Sequence, residues 1–150
     1  MPFKFRLDRV LEWEREKLDL GKRQLAECRR LVVQAEGTLA RLRAEYLVIE
    51  REWIGMKSID GAEAASLARY RLGFQRRERA IRADLHRRQQ ELLQHTDKVR
   101  LSQRKVTTLE NLRARKQKDF NASLDREMER LATESYLAGW AVRKAVGPPA

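Results

Sequence analysis

Between Pro2 and Pro148 the sequence has no proline. Proline fixes φ and removes a backbone donor, so its absence leaves long helices without an internal stop. Only 7 glycines are spread over 150 residues, and aromatic side chains make up 7%. That is too few turn residues, and too little bulk, for a compact core of many short elements. The one cysteine, Cys28, excludes an internal disulfide and fits a reducing compartment. No stretch reaches the ~20 apolar residues of a membrane span. Lys4, Arg6, Asp8 and Arg9 break up any signal-peptide core. The expectation is a soluble cytosolic protein.

Catalytic patterns are missing as well. There is no Gly-rich phosphate loop, no Ser/His/Asp set and no Cys or His pair at metal spacing. The two histidines, His86 and His95, fall on different helix faces. Cys28 with His95 makes a poor metal site, since one thiol and one imidazole leave a tetrahedral ion half coordinated. The reading is a non-enzyme, with no cofactor, no metal and no small-molecule substrate. Cys28 reads as packing and His95 as a tolerated seam residue.

What the chain has in abundance is charge: 37% of residues are Asp, Glu, Lys or Arg, and the formal net charge is +11. Residues 1–61 hold 13 Lys/Arg against 11 Asp/Glu, a net of +2, whereas residues 69–118 hold 16 against 5, a net of +11. The excess therefore lies on one middle segment. A solvated helix face accounts for such a run, and so does an electrostatic surface for an acidic protein, anionic lipid or nucleic acid. Nucleic acid is the weakest of these, because no aromatics are interleaved for stacking on bases and no groove-reading motif is visible.

The charges are threaded by a regular apolar ladder. Leu7, Leu11, Leu18, Leu25, Cys28, Val32, Ala35, Leu39, Leu42, Tyr46, Ile49, Trp53 and Met56 follow alternating steps of four and three, and only Glu14 and Gly21 interrupt it. A 3.5-residue period sustained over ~7 heptads is the signature of a coiled coil. The ladder ends at "GMKSIDGAEAA", where Ser58 and Asp60 are candidate N-caps and Glu63 completes a capping box with Asp60. These signals predict an all-α fold of two long helices in an antiparallel coiled-coil hairpin, the second helix longer than the first. The boundaries are helix 1 at about 5–57, a turn at about 57–62, helix 2 at about 62–145 and a disordered tail over 146–150, all in one domain. Gly147, Pro148 and Pro149 supply the stop.

A fold point at residue 60 makes residue i face 120 minus i. Trp53 then meets Leu67, Tyr46 meets Phe74, Leu39 meets Ile81 and Leu11 meets Leu109. The weak rungs Ala35, Cys28, Gly21 and Glu14 meet Leu85, Leu92, Val99 and Val106. Large residues set against small ones keep layers evenly spaced. Arg71, Glu78 and Arg88 fall opposite Ile49, Leu42 and Val32, which places them in the seam or just off it. A parallel dimer of two chains uses the same ladder and stays open.

Two consequences follow for the paired-termini end. Phe3 and Phe5 alternate with Lys4 and Arg6 before the helical period begins at Leu7. The register puts them beside residues 115–120, so they read as a lead-in that clamps against Leu112 and Phe120; the alternative is a frayed N-terminus. Helix 2 also runs ~25 residues past the start of helix 1 and keeps a stripe of Phe120, Leu124, Met128, Leu131, Ala138 and Val142, with Tyr136 and Trp140 beside it. A stripe without an intramolecular partner implies one elsewhere. The basic residues Arg113, Arg115, Lys116 and Lys118 lie next to it.

The F-x-F-x-L-x-x-V-L opening ("FKFRLDRVLEWERE", 3–16) is followed by a heptad helix containing "QLAECRRLVVQAEGTLARL" (24–42) and a Gly-containing turn. A longer basic helix then carries "RKVTTLENLRARKQKDF" (104–120) and "DREMERLATESYLAGWAVRK" (125–144). This arrangement resembles the flagellar FliJ family over nearly the whole chain. Its most specific elements are Phe3, Phe5, Leu7, Val10 and Leu11 joined to Leu109, Leu112, Arg115 and Phe120. The resemblance implies a soluble stalk component of the flagellar type III export apparatus, similar to the central coiled coil of rotary ATPases. In that family the paired termini enter the export ATPase ring and the hairpin end points toward the membrane export gate. The implied partners are the export ATPase and its regulator, the membrane export gate protein and export chaperones, at the inner face of the cell membrane. The implied ATPase contacts here are Phe3, Phe5, Arg113, Arg115, Lys116, Phe120, Leu124, Met128 and Leu131. The implied gate contacts are Leu42, Ile49, Tyr70 and Phe74. Gly73 and Arg77 depart from the pattern, standing where some relatives have apolar groups. The equivalent stalk of a virulence type III secretion system is one alternative; a structural or nucleic-acid-binding basic coiled coil is another.

Overall fold

The computed structural model describes residues 2–147. Among these there are two helices and no strand: α1 (Asp8–Ile54) and α2 (Gly61–Val146). The fold is all-α, the second helix is the longer, and the two pack against each other as a hairpin.

The helix ends differ from the expected ones by a few residues, each for a local reason. α1 begins at Asp8 rather than near residue 5. Residues 2–5 are not helical, and the Asp8 N–H donates to the Phe5 carbonyl at 3.1 Å, making a turn that leads into the helix. α1 stops at Ile54 rather than at 57. The Gly55 N–H still reaches the Arg51 carbonyl four residues back, but the Met56 N–H bonds the carbonyl of Trp53, only three residues back. That tightened bond closes the last turn. α2 starts where Asp60 caps it: the Glu63 N–H donates to Asp60 Oδ1 at 2.7 Å, while the Ala64 N–H bonds the Asp60 carbonyl at 3.0 Å. Val146, expected in a disordered tail, is the last helical residue, and Gly147 follows with φ 67°. A left-handed residue just past the C-cap suits glycine, which has no Cβ to clash. Pro148, Pro149 and Ala150, the rest of the expected tail, lie outside the described residues.

Contacts divide the chain into two units, one of residues Glu16–Gln103 and one joining the segment up to Arg15 with that from Arg104 onward. In the first unit Leu18, Leu25, Val32, Ala35 and Leu39 of α1 are buried, as is Phe74 of α2. In the second, Phe5, Leu11, Glu14 and Val106 are buried. Every ladder position from Leu7 to Trp53 is at least half-buried, and Met56, past the end of α1, is exposed.

Pairing follows the expected register in the Glu16–Gln103 unit. Tyr46 stacks on Phe74 with ring centroids 4.0 Å apart, and a Cβ on Gly21 would lie 3.3 Å from Val99 Cγ2. Both pairs sum to 120. The polar positions separate. Arg71 is exposed and leaves the seam, while Glu78 and Arg88 remain half-buried in it. Glu78 accepts from Arg43 at 3.3 Å, and Arg88 donates to Asp84 at 2.8 Å one turn earlier. A long guanidinium can bury its methylenes against the apolar face while its head finds a carboxylate at the edge.

Candidate functional site

The unit of the paired termini carries the most distinctive surface. The non-helical lead-in lets Phe3 cross to α2, where its ring lies 5.5 Å from that of Phe120, inclined by 50°. Phe5 is buried at 7% exposure. Arg113 adds a second tie: its Nε donates to Asp8 Oδ1 at 3.0 Å while its guanidinium sits 5.7 Å from the Phe3 ring centre. Arg15 bonds Glu110 at 3.1 Å one turn further along. An aromatic pair and a cation over a ring each contribute about 0.5–1.5 kcal/mol, enough to hold the lead-in in place.

Beside this clamp is a cleft of about 600 Å³ lined by residues 3–7 together with Leu112, Lys116 and Phe120. Phe3, Leu7, Leu112 and Phe120 are half-buried, whereas Lys4, Arg6 and Lys116 are exposed. No acidic residue lines it.

Beyond Phe120, every residue of α2 from 121 to 138 is exposed. Leu124, Met128 and Leu131 expose 37%, 68% and 53% of their surface. Tyr136, Leu137, Trp140 and Val142 are likewise open, with Lys144 Nζ over the Trp140 ring at 4.6 Å. The structure thus brings Phe3, Phe5, Arg113, Lys116 and Phe120 together. Arg115 is exposed on the same stretch of α2, and Leu124, Met128 and Leu131 sit on the extension.

In the other unit, the residues singled out near the turn are largely enclosed. Phe74 is buried, and Leu42, Ile49 and Tyr70 are half-buried. Tyr46 stacks against both Phe74 and Tyr70, the latter at 6.0 Å. Alongside, Arg71 donates two bonds to Glu50, at 2.7 and 2.9 Å. The Arg71 hydrogen bonds, and after them one from the Tyr46 hydroxyl, hold the Glu50 carboxyl down to about 2. The same bond to Glu50 pushes the Tyr46 hydroxyl up. A different set is open in this region: Leu47, Val48 and Leu72 on the flanking helices, and at the turn itself Ile54, Met56 and Ile59, at 77%, 49% and 42% exposure. Met56 is the last rung of the ladder in sequence, but it lies past the end of α1. Ile54 and Ile59 lie off the ladder, and that is the one signal in the sequence that sets them apart from the core.

Among the described residues, no group of three His, Cys, Asp or Glu is placed to hold a metal ion, and Cys28 is a free, half-buried thiol. No helix among them is long and apolar enough to cross a membrane. Comparisons with protein-family models, curated proteins and solved structures give no match to this chain. The surfaces described above therefore carry the functional argument.

Proposed function

We propose that this chain is a non-enzymatic stalk component of a flagellar type III protein-export apparatus. On this reading its paired-termini end docks on the export ATPase and its turn end faces the membrane export gate, with export chaperones as further partners. The chain works at the inner face of the membrane as a peripheral protein. The observation that carries the reading is the open apolar face of α2 beyond Phe120, where Leu124, Met128 and Leu131 are exposed with no covering from α1. The motif resemblance at Phe3–Leu11 and Leu109–Phe120 supports it.

Burying side chains of this size stabilises an interface by about 1.5–3 kcal/mol each. Arg115, Lys116 and Lys118, exposed on the preceding turns, would speed encounter with an acidic surface and make it salt-dependent. At the turn end, Phe74 is enclosed, so gate contact on this reading falls to Ile54, Met56 and Ile59, helped by the open edges of Tyr70 and Ile49.

The test is a pull-down of the purified flagellar export ATPase with wild type and with Leu124→Ala combined with Leu131→Ala, alongside motility of cells carrying each. Loss of ATPase capture and of motility, with helicity unchanged, is the expected result. Equal capture by the double variant would show that the extension is not the docking end.

A further inference from the structure

We propose that the cleft between the N-terminal lead-in and α2 is a receptor for an acidic amphipathic helix of a partner protein. It rests on the reading that the paired-termini end is the docking end, and it adds the chemistry of what docks there. Three observations select this occupant.

The first is charge. Lys4, Arg6 and Lys116 are exposed at the cleft, make no ion pair or hydrogen bond among the described residues, and have no acidic residue beside them in the lining. Neighbouring cations differ in this respect: Arg15 is satisfied by Glu110 and Arg113 by Asp8. Three uncompensated cations around one apolar floor repel each other until a ligand supplies carboxylates.

The second is size and shape. At about 600 Å³ the cleft is in the range of pockets that enclose a bulky apolar group. Its floor of Phe3, Leu7, Leu112 and Phe120 is half-buried and offers no hydrogen-bonding side chain.

The third is continuity. The same helix continues the apolar track from Phe120 through Leu124 and Met128 to Leu131. At 1.5 Å per residue that track is about 16 Å long, or three turns, which matches a helix presenting anchors at i, i+3 or i+4, and i+7. A single acyl chain would leave the track beyond Phe120 uncovered. Stacking on the bases of a single-stranded nucleic acid needs free aromatic faces, and here the Phe3 and Phe120 rings pack on each other.

The experiment uses the full chain and a fluorescein-labelled 18-residue designed helix with Leu and Phe on one face and Glu on the other. Three comparison probes accompany it: the same peptide with Lys for Glu, the same peptide with Ser for its apolar residues, and a short DNA duplex. Anisotropy titrations should show the acidic amphipathic peptide binding about tenfold or more tighter than either peptide control, and weakening as salt rises. Lys4→Glu with Lys116→Glu should lower its affinity about tenfold with an unchanged circular dichroism spectrum, whereas Arg76→Glu with Arg79→Glu should not. In the 15N-labelled wild type, amide shifts should concentrate at residues 3–7 and 112–131. Tighter binding of DNA, equal binding of the charge-inverted peptide, shifts elsewhere, or equal loss in the Arg76/Arg79 variant would each overturn the proposal. No export protein enters this assay. A chain that binds the peptide but fails to capture the ATPase refutes the export reading and supports this one.

Discussion

Replacing Glu14 with leucine should stabilise the protein, and the size of the gain can be worked from its surroundings. Glu14 occupies a ladder position, is 7% exposed, and its Oε2 has no hydrogen-bond partner among the described residues. In register it faces Val106, which is 3% exposed, and one rung away on its own helix Leu11 is 1% exposed. Arg104 and Lys105 line the shallow depression beside it but form no ion pair with it. A buried acceptor left without a partner costs about 1–3 kcal/mol. Leucine removes that cost and buries apolar surface worth up to about 1.5–3 kcal/mol. The two side chains are close in volume, so repacking should return less than about 1.5 kcal/mol. A net gain of about 2 kcal/mol follows, which for a chain of this size is a rise of roughly 4–8 °C in Tm. Thermal melts followed by far-UV circular dichroism read this directly. Glu14→Gln keeps the shape and removes the charge, and should move Tm less than Glu14→Leu. A leucine variant that melts at or below wild type would refute the reasoning and show that the carboxylate has a partner worth more than the apolar burial.

Four other outcomes are expected. The Glu50 carboxyl, held down to about 2 by Arg71 and Tyr46, contributes stability that is fully present above its ordinary value of 4.5 and is lost as pH falls toward 2. Wild-type Tm should therefore drop across that window, and the drop should shrink in Glu50→Gln. Gly37 lies mid-helix with nothing within 4 Å of where its Cβ would stand, so Gly37→Ala should gain about 0.5–1 kcal/mol in urea unfolding. His95 is half-buried in the seam, and His95→Leu should raise Tm, since polar seam residues lower coiled-coil stability; a clear fall would reveal a specific imidazole contact. Leu124→Ala with Leu131→Ala should leave Tm within about 2–4 °C of wild type, because truncating an exposed side chain changes stability by less than ~0.5 kcal/mol.

The helical class, the two-element organisation and the pairing register of the Glu16–Gln103 unit were legible in the sequence. A heptad period is a one-dimensional pattern that survives only if one face is kept buried, and the lack of proline leaves nothing to interrupt it. Asp60 as a cap and Gly147 as a stop were legible for a similar reason: each acts on backbone groups within four residues of itself. The register put Phe3 and Phe5 beside residues 115–120, which left open a clamp on Leu112 and Phe120 or a frayed N-terminus; the structure has the former.

What the tertiary structure decided was which apolar and charged side chains remain available. Leu42, Ile49, Tyr70 and Phe74 have the composition of a docking patch and also that of a seam, and the packing of α1 on α2 spends them largely on the seam. Met56 stands on the same ladder and does not differ in kind, yet it is open. Arg71 and Arg88 read alike in sequence; one swings out to Glu50, and the other stays half-buried against Asp84. The uncompensated cluster of Lys4, Arg6 and Lys116 emerges only when the lead-in is folded onto α2, because Lys116 lies more than a hundred residues from the other two. Periodicity determines which face of a helix is buried. Exposure, ion-pair choice and the cleft depend on where side chains from distant segments end, and that is fixed only by three-dimensional packing.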